Sequence, residues 1–500
     1  MKNYLIALFS GLLFPLGFAP FDIWPLTILS LSLILYLTGK TSLKKAFLVG
    51  WIYGIGLWGL GVSWVYVSIY YHGNQGLVGS LIITFVFVSL LSLYTGLVTY
   101  LFIKLKTNNE YLDYLIFFPV VWVSIEVLRS YLFTGFPWLI VGTSLAGTSI
   151  GGWIPILGSY GVSILTLMIS GSLVLMFKKE LKINWYPALI IMIILVSSFT
   201  LYKINWTKEI TTIQASIYQP NLTLEEKWSS KGVRQTMALV ESSVLNADEG
   251  EFIFFPETAL IFDKEEMRAW ISDLEGQATQ RNISLISGIF AKDSENPGSM
   301  ERYNRIQGFG ATKGHYDKIH LVPFGEFIPF KDYIGKILDI MGINLVNTLP
   351  GKTYSPLISN QLTISTSICY EIAFSELIRK TAKSGNLLVT ISNDTWFGAS
   401  IGPEQHLEIA QSRALEHQKS LIRATNSGIS AIIDRKGKIV QRQGFFEKKE
   451  LNDEISIYEG NTPFSIIGNY FIYGYIMLIY MYLFIHKGTY VLNKDKYDIF

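Results

Sequence analysis

A single cysteine, Cys369, stands in this chain of 500 residues. No disulfide can form within the chain, so any exported part must be held by its own core. Charge is scarce as well, at 16% Asp, Glu, Lys and Arg, against roughly 25% in an ordinary soluble domain. With 50% hydrophobic residues, the composition is that of a membrane protein. The six histidines are scattered, and neither Cys-x-x-Cys nor His-Glu-x-x-His occurs, so no metal and no other cofactor is expected. A net charge of +2, without a basic patch interleaved with aromatics, argues against a nucleic-acid partner.

What is present in quantity is long apolar runs. A hydrocarbon core needs about 20 apolar residues per helix, and eight runs read as spans: roughly Tyr4–Ala19, Trp24–Leu37, Ala46–Ser68, Leu77–Ile103, Tyr114–Leu132, Trp153–Phe177, Ile183–Tyr202 and Ser465–Ile485. The first, following Lys2, imitates a signal peptide, but no small-residue cleavage site follows and it is expected to stay attached. Between the last two spans the composition changes, and Thr207–Asn461 reads as a soluble α/β domain. The expected division is therefore 1–206 as a seven-span membrane domain, 207–461 as a catalytic domain, and 462–500 as an eighth span with a tail.

Basic residues in short connections mark the cytoplasmic side. With the N-terminus inside, Lys40, Lys44 and Lys45, Lys104 and Lys106, Lys178, Lys179 and Lys182, and Lys487, Lys494 and Lys496 all fall inside. The opposite connection Tyr71–Gly76 carries none, and only Arg129 lies near the outer end of the fifth span. This places the soluble domain outside, tethered at both ends over the outer leaflet, and both termini in the cytoplasm. In a bacterium that site is the periplasmic face of the inner membrane. Glu126 and Arg129 sit where they can pair at i, i+3 or meet a lipid headgroup. Gly135–Ser159 is charge-free but too irregular for one straight helix.

Within the soluble part, β-rich runs at Thr212–Tyr218, Phe252–Phe255, Ser284–Phe290, Ile306–Ala311, Leu362–Ile368, Leu387–Ser392 and Ser430–Asp434 are interleaved with helical stretches. The helices read as Gly232–Leu245, Lys264–Gln280, Glu371–Lys383 and Glu404–His417, which predicts sheets layered with helices. Cys369 falls at a strand-to-helix turn, where amide N–H groups favour a thiolate and can bind an oxyanion. Taken alone it reads first as an inert core thiol, because free cysteine is among the most buried residue types. Two further residues stand at strand ends: Glu257, after Phe-Ile-Phe-Phe-Pro256, and Lys318. A thiol near pKa 8.5 needs a base or a cation to become a nucleophile. Glu257 suits the first task; Lys318 suits the second and the oxyanion that follows.

Phe255-Pro-Glu-Thr-Ala259, Tyr316-Asp-Lys-Ile-His-Leu-Val-Pro-Phe-Gly-Glu326 and Ile368-Cys-Tyr-Glu371 resemble, in that order, the nitrilase (carbon–nitrogen hydrolase) superfamily and its Glu-Lys-Cys triad. Flanked by spans, the chain resembles the membrane-embedded apolipoprotein N-acyltransferase branch. Gly17-Phe-Ala-Pro-Phe-Asp-Ile-Trp-Pro25, Gly61-Val-Ser-Trp-Val65, Tyr218-Gln-Pro-Asn221 with Lys227-Trp228, Asn393-Asp-Thr-Trp-Phe-Gly398, Gly402-Pro-Glu-Gln-His406 and Arg423-Ala-Thr-Asn426 agree with it. Two departures are local: Ser427 stands where a second asparagine is common, and Gln418-Lys419 where Arg-Pro is frequent.

The resemblance implies an αββα sandwich and a ping-pong acyl transfer. Cys369 would take an acyl chain from a phospholipid, typically phosphatidylethanolamine, as a thioester. The α-amino group of a diacylglyceryl apolipoprotein would then accept it, with no nucleotide and with the enzyme a monomer in the bilayer. Carried over residue by residue, Glu326 supports the charges of Glu257 and Lys318, and the Tyr370 N–H joins Lys318 in the oxyanion hole. Glu371 shapes the site or caps the helix, and Trp228 sits on an arm over the entrance. Asn304 and Trp396 are further supporting candidates. The competing readings are a membrane-tethered amidase or nitrilase using the same triad, and a transporter or scaffold with an inactive nitrilase-like domain. The near absence of ionisable residues within the spans speaks against transport.

Overall fold

The structure is a computed structural model that describes residues 1–39, 41–73, 75–107, 109–178, 185–293, 299, 301–329 and 348–497, with side chains to residue 485. Lys40, Lys179 and Lys182 of the orientation argument lie outside the described residues, as do the side chains of Lys487, Lys494 and Lys496. The chain forms two compact units: Met1–Ser63 with Leu81–Ile204 and Ile467–Phe500, and Trp64–Ser80 with Asn205–Ile466.

In the first unit each expected apolar run contains a helix: Lys2–Leu13, Trp24–Thr38, Leu43–Gly61, Gly76–Leu105, Glu110–Arg129, Ile154–Phe177, Tyr186–Tyr202 and Tyr470–Tyr497. Among the described residues, Gly76–Leu105, Glu110–Arg129 and Ile154–Phe177 are long and apolar enough to cross a membrane. The run expected as one span from Ala46 to Ser68 is instead broken: Leu43–Gly61 and Trp64–His72 meet at a 59° bend. Gly59 and Gly61 weaken the helix end, and the second piece belongs to the other unit.

Glu126 and Arg129 are both buried and are spent on backbone. Glu126 Oε1 accepts from Trp122 Nε1 at 3.1 Å and from the Val141 amide at 3.0 Å. Arg129 Nη1 donates to the carbonyls of Phe136 and of Trp138, the latter at 2.7 Å, while its guanidinium lies 4.7 Å from the Trp58 ring centre. The pair thus clamps the irregular stretch after Gly135, whose polar backbone has no helix to satisfy it. Elsewhere the helices meet at small residues. A Cβ on Gly11 would lie 2.0 Å from the Tyr53 carbonyl oxygen, and one on Gly56 2.4 Å from that of Leu8, a contact only glycine allows.

The second unit is built on two seven-stranded sheets. Its strands in chain order are β1 Lys208–Gln219, β2 Phe252–Phe254, β3 Ser284–Lys292, β4 Arg302–Gly310, β5 Thr312–Lys313, β6 His315–Asp317, β7 Thr348–Leu349, β8 Leu357–Ser359, β9 Leu362–Ile368, β10 Leu387–Ser392, β11 Leu421–Thr425, β12 Ala431–Ile433, β13 Ile439–Arg442 and β14 Lys449–Glu459. The first sheet runs β14-β1-β2-β3-β4-β6 with β7 on β4, and the second runs β13-β12-β11-β10-β9-β8-β5. The centres, β1-β2-β3 and β9-β10-β11, are parallel, as befits uninterrupted apolar runs such as Phe252-Ile-Phe254.

The inner faces share one core, with Ile217, Phe254 and Ile306 from the first sheet and Ile364, Ile368 and Val389 from the second. Helices Ser230–Asn246 and Arg268–Gln280 cover the outer face of the first sheet through Val240, Val244, Leu274 and Ala278. Helices Ser375–Ala382 and Gly402–His417 cover the second, which completes helix, sheet, sheet, helix. Lys419 has a role of its own: its buried ammonium donates to the carbonyls of Ala382, at 2.6 Å, and Gly385, capping the helix end.

Two expected helices differ. Lys264–Gln280 begins only at Arg268, and Glu371–Lys383 is a 3-10 turn, Cys369–Ala373, followed by Ser375–Ala382. Packing in the first unit gives a test: Gly11→Val should destabilise the helical unit by about 2 kcal/mol through overpacking, read as a lower thermal midpoint in detergent. An unchanged midpoint would contradict the close approach.

Candidate active site

Three turns at strand ends deliver the candidate residues. Pro256 stops β2, and Glu257 follows it into a turn closed by Thr258 at φ +47. The turn fits because β3 carries Gly288, where a Cβ would lie 2.4 Å from the Thr258 nitrogen and 2.8 Å from the Glu257 Cα. Lys227, itself buried, locks the turn from the other side, with Nζ 3.0 Å from the Glu257 carbonyl oxygen and 2.5 Å from Thr258 Oγ1. Burial pulls this ammonium down to about 8, with the Glu257 charge opposing. The Glu257 carboxylate accepts from Asn304 Nδ2 at 2.6 Å and from the Asn393 amide at 2.7 Å.

Lys318 follows β6, its amide bonded to the Asn304 carbonyl at 2.8 Å. Its side chain is 1% exposed, with Nζ 2.8 Å from Glu326 Oε1 and 3.6 Å from Glu257 Oε1. Burial works against this charge, but Glu326, Glu257 and the Cys369 sulfur outweigh it and hold the ammonium above its ordinary pKa. Glu326 is positioned by its own loop, since its Oε2 accepts from the Val322 amide at 2.7 Å.

Cys369 leaves β9 at φ +54, a left-handed backbone that costs a non-glycine residue of order 1 kcal/mol or more and clusters at working sites. The side chain of Glu371 enforces the turn. Its Oε1 accepts from Tyr316 Oη at 2.8 Å and from the amides of Ile319 and His320 at 2.7 and 2.9 Å, while Oε2 accepts from the Ile368 amide at 2.8 Å. This curl back to Ile368 is why the expected helix from Glu371 does not form. Burial pushes the carboxyl up to about 7, and the donors around it oppose the rise. The thiol itself is pushed up to about 12, first by burial and then by the Glu257 charge, with Lys318 opposing. Lys318 pulls toward the thiolate, but burial and the Glu257 charge outweigh it, and the thiol stands between an acceptor carboxylate and a fixed ammonium.

The structure thus brings together Glu257, Lys318, Glu326, Asn304, Cys369 and Glu371. Trp228 and Trp396 lie outside this hydrogen-bonded cluster, both exposed. Trp228 stacks on Phe290 at 5.8 Å, and Trp396 meets His72 at 4.9 Å. Tyr370 places its ring 5.1 Å from Phe374. Sequence reasoning missed Lys227 and Asn393 as partners of Glu257. Asn393 acts through a backbone amide that has no side-chain signature, and Lys227 sits in Glu-Glu-Lys-Trp, which reads as a solvated turn. No group of three His, Cys, Asp or Glu residues that could hold a metal occurs among the described residues.

Comparison with known proteins bears on the whole chain. Residues 10–172 match the family described as apolipoprotein N-acyltransferase N-terminal domain, and residues 211–459 match carbon-nitrogen hydrolase. The apolipoprotein N-acyltransferase of Haemophilus influenzae is 33% identical over 97% of this chain and 94% of its own length. Those of Photobacterium profundum and Methylococcus capsulatus are each 32% identical, over 95% and 94% of this chain and 93% of their own lengths. The chain belongs to the apolipoprotein N-acyltransferase family. The two matches fall on one chain, the first on its apolar helices and the second on its sheets, and the cluster around Cys369 lies within the hydrolase match.

Two variants test this geometry. Gly288→Ala should displace the Glu257 turn and cost about 2 kcal/mol, with Cys369-dependent turnover falling more than the thermal midpoint predicts. Glu371→Leu orphans buried donors, each worth about 1–3 kcal/mol, and should destabilise the hydrolase-like unit by about 3 kcal/mol. Wild-type stability in both would overturn the assignment.

Proposed function

We propose that this chain transfers an acyl chain from a phospholipid, through a thioester on Cys369, to the α-amino group of the diacylglyceryl-cysteine at the N-terminus of apolipoproteins. This is the last step of lipoprotein maturation. The observation that carries the proposal is the chain's one cysteine on a strained turn, beside an acceptor carboxylate and a buried ammonium, in a member of this family.

The residues divide the work. Glu257 takes the proton from the Cys369 thiol as Sγ attacks the ester carbon. The oxyanion is held by Lys318 Nζ and the Tyr370 N–H. Collapse breaks the ester C–O bond; the leaving glycerol oxygen receives the proton from Glu257 and departs as a lysophospholipid. In the second half the lipoprotein amine attacks the thioester, Glu257 takes a proton from the nitrogen, and the C–S bond breaks to return the thiol. Thioester to amide is downhill and needs no nucleotide. Glu326 and Asn304 hold the charges of Lys318 and Glu257 in register, Glu371 fixes the turn, and Trp228 and Trp396 line the approach.

The proposal extends to placement. The eight apolar helices are read as eight spans in the inner membrane of a bacterium, with both termini cytoplasmic and the chain a monomer. Residues 1–206 form the membrane domain, 207–461 the periplasmic catalytic domain, and 462–500 the last span and tail. The donor is phosphatidylethanolamine. Anchored substrates explain the architecture: a domain held over the outer leaflet meets two lipid-borne partners without extracting either. A membrane-tethered amidase would use the same residues but give water, not an amine, as the acceptor.

Purified protein incubated with phosphatidylethanolamine alone should gain one acyl mass on Cys369, absent in Cys369→Ala, and a lipopeptide with a free α-amine should clear it as an amide. No adduct would refute the transfer, and clearance by water at the same rate would identify an amidase. A thiol reagent that cannot cross the inner membrane should label Cys369 in spheroplasts; labelling only after lysis would reverse the orientation.

A further inference from the structure

Against the carbonyl of Cys369 lies a buried polar group that the transfer just described does not use. His406, Asp394 and Arg423 are all at most 2% exposed. His406 Nε2 is 3.1 Å from the carbonyl oxygen of Cys369, and Nδ1 is 3.0 Å from Arg423 Nη2 and 3.2 Å from Asp394 Oδ1. Asp394 accepts from Arg423 Nη2 at 2.5 Å and from Ser392 Oγ at 2.6 Å.

Chemistry fixes the hydrogen on Nε2. A carbonyl oxygen only accepts, so Nε2 donates to it, while Nδ1 faces both the Arg423 guanidinium and the Asp394 carboxylate. Burial and then Arg423 push the ring below its ordinary pKa, which keeps it neutral. Burial pushes the Asp394 carboxyl up, but the Arg423 guanidinium beside it overcomes this and holds it well below the usual carboxylate range. It thereby holds Arg423 in place.

The carbonyl that His406 grips belongs to the same peptide plane as the Tyr370 N–H, and in a trans peptide the two point in opposite directions. We propose that His406 is a positioning residue that aims the Tyr370 N–H at the oxyanion by anchoring the Cys369 carbonyl, with Arg423 and Asp394 holding its ring in place. This inference rests on the thioester reading above. Glu371 holds the turn at φ +54, but without the anchor the Cys369–Tyr370 peptide plane can tip and carry the amide away from the developing charge.

The test separates a step that builds an oxyanion from one that does not. Acylation of Cys369 by phosphatidylethanolamine needs the hole; alkylation of the same thiol by iodoacetamide is a displacement at carbon and does not. In the full-length detergent-solubilised protein, His406→Ala should slow acylation about 100-fold, the scale of losing one oxyanion donor, and change alkylation less than about threefold. His406→Gln, whose amide can still donate to the carbonyl, should recover most of the acylation rate. Acylation unchanged in His406→Ala overturns the proposal, as does a parallel loss of both reactions in His406→Ala and His406→Gln. An acyl-enzyme absent already in wild type indicts the thioester reading instead.

Discussion

A buried ammonium sets the terms for the catalytic unit. Lys318 is 1% exposed, and taking a charge out of water costs several kcal/mol unless opposite charges stand beside it. Glu326 at 2.8 Å and Glu257 at 3.6 Å supply them. Each carboxylate then needs its own donors, and the surrounding turns exist to provide these. The Asn393 amide and Asn304 serve Glu257, and the Val322 amide serves Glu326. Lys227 grips the Glu257 turn by its backbone, so its positive charge lies close without joining the carboxylate. Removing one member strands the others as unbalanced buried charges, which binds the cluster into a single unit.

Geometry is set by a third carboxylate, Glu371, whose oxygens are taken up by backbone amides and a tyrosine hydroxyl. Glu371 joins the amides after β6 in the first sheet to the amide that ends β9 in the second, so the sheet carrying Lys318 and the sheet carrying Cys369 are fastened at the site itself. The same bonds hold the backbone that leaves Cys369 in a left-handed turn. A thiol pushed up to about 12 by burial and by Glu257 is a poor resting nucleophile. In the proposed transfer Glu257 therefore acts as a proton acceptor during attack, not as the partner of a standing ion pair.

How much of this was legible in the sequence follows from where each signal resides. Cys369, Glu257 and Lys318 each follow a β-rich run, and the blocks around them are distinctive, so residue type and position announced them. Strands with continuous apolar character, such as Phe252–Phe254 and Leu387–Ser392, were equally plain. β11, which carries the buried Arg423, and β14, studded with acidic residues, broke that pattern and were missed; only their neighbours make them strands. The helix expected from Glu371 failed because a side chain competed with the helical hydrogen bonds, a choice no propensity encodes. Partners acting through backbone, such as the Asn393 amide, leave no mark at all. In the apolar part, composition marked every helix, but not the 59° bend that hands Trp64–His72 to the other unit.

The central claim is a protonated thiol served by Glu257, and a single cysteine makes it directly measurable. The rate of Cys369 alkylation by iodoacetamide, followed against pH, should climb steadily from pH 6 to beyond pH 9 without a plateau, as follows for a thiol pushed up by burial and by the Glu257 charge. A plateau already reached near pH 7, the mark of a standing thiolate, would contradict the account.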